Sequence, residues 1–157
     1  MPATTLDLLT EHPFLAGLPR DWLVRLSFQA HPVVRGPGRR LFQENRPARH
    51  FWLLRTGQVV LDIHVPGRGE AVIETLGPGS VLGWSWLFPP YQWHFGAVTV
   101  EQTLAIEFDA AGVRRLIGDD AEFGRELTSR FMAVVVDRLQ TTRVRLLDRY
   151  GSPAMPR

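Results

Sequence analysis

Five histidines, eighteen arginines and one dense aromatic segment carry the chemical potential of this 157-residue chain, which has no lysine and no cysteine. A Schiff-base amine, a P-loop lysine, a thiolate nucleophile, a redox pair and a cysteine-zinc site are therefore excluded. His12, His31, His50, His64 and His94 form no His-x-His pair and no cluster of metal-ligand spacing, so no metal site is expected. A Gly-x-Ser-x-Gly elbow is missing, and Ser85 stands among aromatics without an evident base. No catalytic residue is assigned, and the chain reads as a non-enzyme.

Two chemical features remain. Six aromatic residues fall between Trp84 and Phe95, around Pro89-Pro90. Between Arg125 and Arg149, six arginines face three acids, Glu126, Asp137 and Asp148. Such a helix could touch nucleic-acid phosphates, although a solvated mixed-charge face is the commoner explanation. The pI of 9.9 adds little. Net charge is only +2, and without lysine almost nothing titrates between neutrality and arginine. Every arginine lies at or before Arg68 or at or after Arg114, and His94 is the sole candidate cation from Gly69 to Val113. By that count, the aromatic segment has no guanidinium for an anionic ligand.

These residues need a scaffold, and the length and 45% hydrophobic content suit one domain spanning residues 1–157. Leu9, Phe14, Leu15, Leu18, Leu23 and Leu26 lie near helical spacing, which predicts short helices over 8–27, the second with Pro19 near its start. Over 28–109 the pattern turns to strands. Val59, Leu61, Ile63 and Val65 alternate with a mixed face that includes His64, and Leu104, Ile106 and Phe108 alternate again. Helices return over 110–150. In the long one, Phe123, Leu127, Phe131 and Val134 form one apolar stripe. Met132, Val135, Leu139, Thr142 and Leu146 form a second, a seam of about two heptads. Both stripes could lie inside one core, but the small domain favours the roll for one and a second copy of the chain for the other. A homodimer is expected. The tail after Gly151-Ser152-Pro153 is expected to fray. Met1 to Asp7 shows no leader pattern, and no apolar run approaches a membrane span. A cytoplasmic protein without membrane contact is the expectation.

The segment Arg40-Leu41-Phe42-Gln43-Glu44-Asn45 through Arg55-Thr56-Gly57-Gln58-Val59 resembles the cyclic-nucleotide-binding domain family, as does Leu76-Gly77-Pro78-Gly79-Ser80-Val81-Leu82-Gly83. Asp137-Arg138-Leu139-Gln140-Thr141-Thr142 is similar to the long helix of bacterial regulators of the catabolite activator type. The resemblance covers most of residues 8–149. It implies a mainly β fold with flanking helices, an eight-stranded jelly roll (double-stranded β-helix) with a long C-terminal helix across its mouth. It also implies a regulatory domain working by signalling.

The resemblance places ligand-binding candidates at Gly83, Trp84, Ser85, Trp86, Trp93, His94, Ala97 and Thr142. In the family, a glutamate after the glycine matched by Gly83 binds the ribose, a short helix N-terminus and an arginine hold the cyclic phosphate, and a residue matched by Thr142 reaches the base. Here Trp84 stands at the glutamate position, and Trp93 or His94 at the arginine position. Two lost hydrogen bonds to charged groups represent about 3–6 kcal/mol, a factor of about 10² to 10⁴ in affinity. Tight binding of cAMP or cGMP is not expected, and no other cofactor is implied. The aromatics then plug the vacated pocket, line a site for a different, less anionic small molecule, or dock a protein partner. The family's regulators read DNA through a helix-turn-helix domain after the long helix. Only eight residues follow Arg149, too few for such a module, so the expectation is a standalone sensor-type domain without specific DNA recognition or, alternatively, a truncated or DNA-associated transcriptional regulator of the catabolite activator type.

Overall fold

A strand shows alternate side chains to opposite faces, and in the strand His50–Thr56 both faces are apolar. Its Trp52 stacks on Phe42 of the opposing sheet, while Phe51 meets Phe131 of the last helix. This strand therefore separates two hydrophobic layers, one between the sheets and one beneath the helices.

The computed structural model describes residues 2–151. Its elements are α1 (Thr5–Glu11), a 3-10 turn (Pro13–Leu15), α2 (Arg20–Ser27), β1 (Ala30–Arg35), β2 (Arg40–Phe42), β3 (His50–Thr56), β4 (Val59–Val65), β5 (Gly69–Leu76), β6 (Val81–Leu82), a second 3-10 turn (Ser85–Leu87), β7 (Gly96–Thr99), β8 (Thr103–Asp109), α3 (Ala110–Asp119) and α4 (Ala121–Gly151). Two four-stranded sheets, ordered β1-β8-β3-β6 and β2-β7-β4-β5, form the roll. Their named strand pairs are all antiparallel. Gly57 makes the β3–β4 turn possible. Its φ is +93°, and a Cβ there would lie 2.6 Å from the Gln102 carbonyl oxygen.

The helices depart from the expected bounds for local reasons. α1 begins at Thr5 rather than residue 8 because Thr4 and Asp7 form a reciprocal capping box. α3 runs from Ala110 to Asp119, its start capped by the Asp109 side chain accepting from the Gly112 N–H. Asp120 then breaks the helix and caps α4 by accepting from the Phe123 N–H at 3.2 Å. Asp120 also receives Arg25 of α2 at 3.0 Å. Residues 152–157, where the tail was expected to fray, lie outside the described residues.

α4 separates its two stripes. Phe123, Leu127 and Phe131 are buried and Val134 packs against the same core. Phe51 stacks on Trp86 and on Phe108, each at 4.5 Å, with Phe131 edge-on at 5.2 Å. On the second stripe Met132, Leu139 and Leu146 are 59%, 57% and 53% exposed. Thr142 is exposed too, and Val135 is half-buried.

Candidate functional site

The segment between β6 and β7 is shaped first by Gly83. Its φ is +103°, and a Cβ there would sit 2.7 Å from the Trp93 ring, so both conformation and space require glycine. The Ser85–Leu87 turn follows, braced by Trp86 Nε1 donating to the Gly83 carbonyl at 3.1 Å. Past the cis Pro89–Pro90 bond, the chain returns along the β2–β3 connection. There Asn45 N–H donates to the Trp93 carbonyl at 2.8 Å, Trp93 N–H to Arg46 at 2.9 Å, and Ala48 N–H to Tyr91 at 2.7 Å. The segment is clipped along its outgoing edge.

The expected ligand-binding residues fall into distinct surroundings. Trp93 lies inside the roll, 2% exposed, stacked 3.7 Å from Phe42 and 6.3 Å from Trp52. Phe95 and Ala97 are buried beside it. Trp84 is half-buried, 5.2 Å from Phe95. Trp86 points to the other side of the sheet, fully buried against Phe51 and Phe131. Ser85 is buried with its Oγ 3.4 Å from Nδ1 of the exposed His94. Thr142 is exposed on α4, about one turn beyond Arg138. The aromatic segment is thus split by its own 3-10 turn, with Trp93 and Phe95 filling the roll and Trp86 joining the helical core.

The expectation that this region lacks a guanidinium is overturned in three dimensions. Arg138 of α4 is buried, donating Nη1 to Glu74 at 3.2 Å and Nη2 to the Val81 carbonyl at 3.1 Å. Its guanidinium carbon lies 5.7 Å from the Trp84 ring centre. Burial pulls this group below the ordinary guanidinium value, and the Glu74 and Asp137 carboxylates oppose that shift. Arg114 of α3 donates to the Trp86 carbonyl at 2.8 Å and covers the Tyr91 ring at 4.4 Å. Arg40 of β2 grips Asp62 through two bonds of 3.1 and 2.7 Å. Counting charge along the chain misses these residues because helices and strands from elsewhere deliver them. One signal was available: Arg138 continues the buried 127, 131, 134 stripe, and a charge there needs a buried partner.

Among the histidines, His31 and His50 approach Glu107 at 3.4 and 3.9 Å, and His64 stands 3.1 Å from Glu70. Glu107 also accepts from Trp52 Nε1 at 2.9 Å. Among the described residues, no three His, Cys, Asp or Glu side chains stand where they could hold a metal ion. No described helix is long and apolar enough to cross a membrane. An open cleft of about 520 Å³ lies between the Pro13–Leu15 turn and α4, lined by Pro13, Phe14, Val81, Ala133, Val134 and Arg138 among others.

Similar solved structures share this architecture. One described as a cyclic nucleotide-binding protein from Geobacter metallireducens GS-15 superposes with a TM-score of 0.78 at 23% identity, covering 87% of this chain and 99% of its own. A cyclic nucleotide-binding domain from Methylobacillus flagellatus KT gives 0.77 at 15% identity over 96% and 85%. The Thermus thermophilus catabolite activator protein gives 0.67 at 23% identity over 85% of this chain and 61% of that one. No curated protein matches the sequence. The profile of the cyclic nucleotide-binding domain matches residues 33–120, more than half of the chain, from within β1 to the end of α3, including the aromatic segment. With that match added to the eight-stranded roll and its long helix, the chain belongs to the cyclic nucleotide-binding domain family.

Proposed function

We propose that this chain is a non-enzymatic regulatory domain that does not bind cAMP or cGMP tightly, because its own aromatic side chains occupy the roll. The observation that carries this reading is Trp93, buried and stacked on Phe42 at 3.7 Å. The guanidinium that stacks on Trp84 already has partners, Arg138 bonding to Glu74 and to the Val81 carbonyl. A cyclic phosphate that recruited Arg138 would have to take it from Glu74. The likeness to the catabolite activator protein supports the regulatory part of the reading. Titration calorimetry with cAMP and with cGMP should show no saturable binding at micromolar concentrations. A micromolar or tighter dissociation constant for either overturns the reading.

The assembly that fits is a homodimer through Met132, Val135, Leu139, Thr142 and Leu146. Its heptad-spaced members Met132, Leu139 and Leu146 are all more than half exposed, a surface that a second copy would cover in coiled-coil fashion. Sedimentation velocity should give a dimer, and Leu139→Glu should give a monomer because it places two carboxylates in a dry seam. A wild-type chain that remains monomeric at high concentration removes the dimer.

A further inference from the structure

We propose that His12 is a proton switch: protonating its ring releases the Pro13–Leu15 turn from the long helix α4. His12 is 4% exposed and sits between α1 and that turn. Its Nε2 lies 2.9 Å from the Leu54 carbonyl oxygen, and its Nδ1 receives the Phe14 N–H at 3.2 Å. A carbonyl can only accept and an N–H can only donate, so these partners select one neutral tautomer, with the proton on Nε2 and a lone pair on Nδ1. A second proton can go only to Nδ1. There it would face the Phe14 N–H, and the cap of the turn is lost.

That turn is one of the attachments of α4. The Phe14 ring packs edge-on against Phe131 at 4.9 Å, and Arg130 Nη1 donates to the Phe14 carbonyl at 2.8 Å. On the roll side, Leu54 accepts from Gly79 N–H and donates to Ser80, each at 2.9 Å, in the turn that leads to Gly83. The ring therefore joins the helix strap, the sheet and the approach to the aromatic segment. Charged neighbours are Glu11 of α1 and Arg55 of β3, which line a small cleft beside the ring, and Arg130 of α4 beyond Phe14. Among the described residues, none of them forms an ion pair with His12. Burial holds the His12 ring below the ordinary imidazole value of about 6.5, and the Leu54 carbonyl opposes this only in part. A group depressed in the closed state and ordinary in the open one favours closure above about pH 6.5, and that advantage is lost as the pH falls below it.

The test is amide hydrogen exchange of the full chain from pH 8 to pH 5, corrected for intrinsic exchange, read at Phe14 and along residues 127–138. In the wild type, protection at both places should fall several-fold below about pH 6.5. In His12→Gln, whose amide can still donate to Leu54 but does not titrate, protection should not change with pH. If that variant fails to fold, His12→Asn keeps an acceptor for the Phe14 N–H and makes the same comparison. Wild-type protection that stays flat to pH 5, or a non-titrating variant that falls with the same profile, overturns the proposal.

Discussion

Trp93→Ala should destabilise the domain by about 3–5 kcal/mol, the range for removing a large aromatic from a packed core. The ring is 2% exposed and touches both sheets of the roll, stacking on Phe42 at 3.7 Å and reaching Trp52 at 6.3 Å. It also lies against Gly83, which has no side chain to move into the space. Collapse around the deletion is therefore limited, which favours the upper part of the range. A thermal melt should show the midpoint lowered by about 6–20 °C for a domain of this size. Because the vacancy would be apolar and ring-shaped, millimolar indole should recover part of that loss in Trp93→Ala and leave the wild type unchanged. A loss below about 1 kcal/mol would mean that the ring is not packed as described.

Arg138→Ala should cost about 3–5 kcal/mol, because one half of a buried ion pair is left behind. Glu74 would lose the guanidinium now 3.2 Å away, and the Val81 carbonyl would lose its donor at 3.1 Å. The Glu74 carboxylate is only 14% exposed, so water would not readily replace the partner. The paired change Arg138→Met with Glu74→Leu should recover most of the loss, since no buried charge then remains. Urea melts of Arg138→Met, of Glu74→Leu and of the double variant would measure the coupling. Independent, additive effects would show that the pair does not hold α4 against β5. Arg145 of the same helix donates to the Ile73 carbonyl, a second tie to that strand. It is exposed on the helix and should matter less.

Much of the fold was legible because its signals are local. Alternation at Val59–Val65 and at Leu104, Ile106 and Phe108 marks strands wherever they end up in space. The family-like segments around Arg40–Val59 and Leu76–Gly83 carried the topology. Helix bounds were less legible, since α1 starts at Thr5 through a capping box. The site was legible in composition but not in direction. Six aromatics between Trp84 and Phe95 mark an aromatic segment, yet nothing in their order says that Trp86 turns to the helices while Trp93 turns into the roll. That division comes from the single 3-10 turn at Ser85–Leu87 and the ladder with Asn45 and Arg46. Charge was the least legible property. Arg138 lies 64 positions from Glu74 in the chain, and such a pair exists only after the strands and α4 have been brought together.

The ladder along Trp93 has a kinetic meaning. Packing against Phe42 at 3.7 Å and against Gly83 opposes rotation of the indole, while the residue's own N–H and carbonyl, bonded to the neighbouring connection at 2.9 and 2.8 Å, hold its main chain in place. Next along that connection, the Arg49 carbonyl accepts the Ala110 N–H at 3.0 Å, at the first residue of α3. Displacing the whole segment would mean unzipping main chain from main chain, and the adjoining zipper tooth belongs to a helix. The ring is thus held by packing and the strand that carries it by backbone bonds, so movement of the segment as a unit is tied to the connection that also anchors α3.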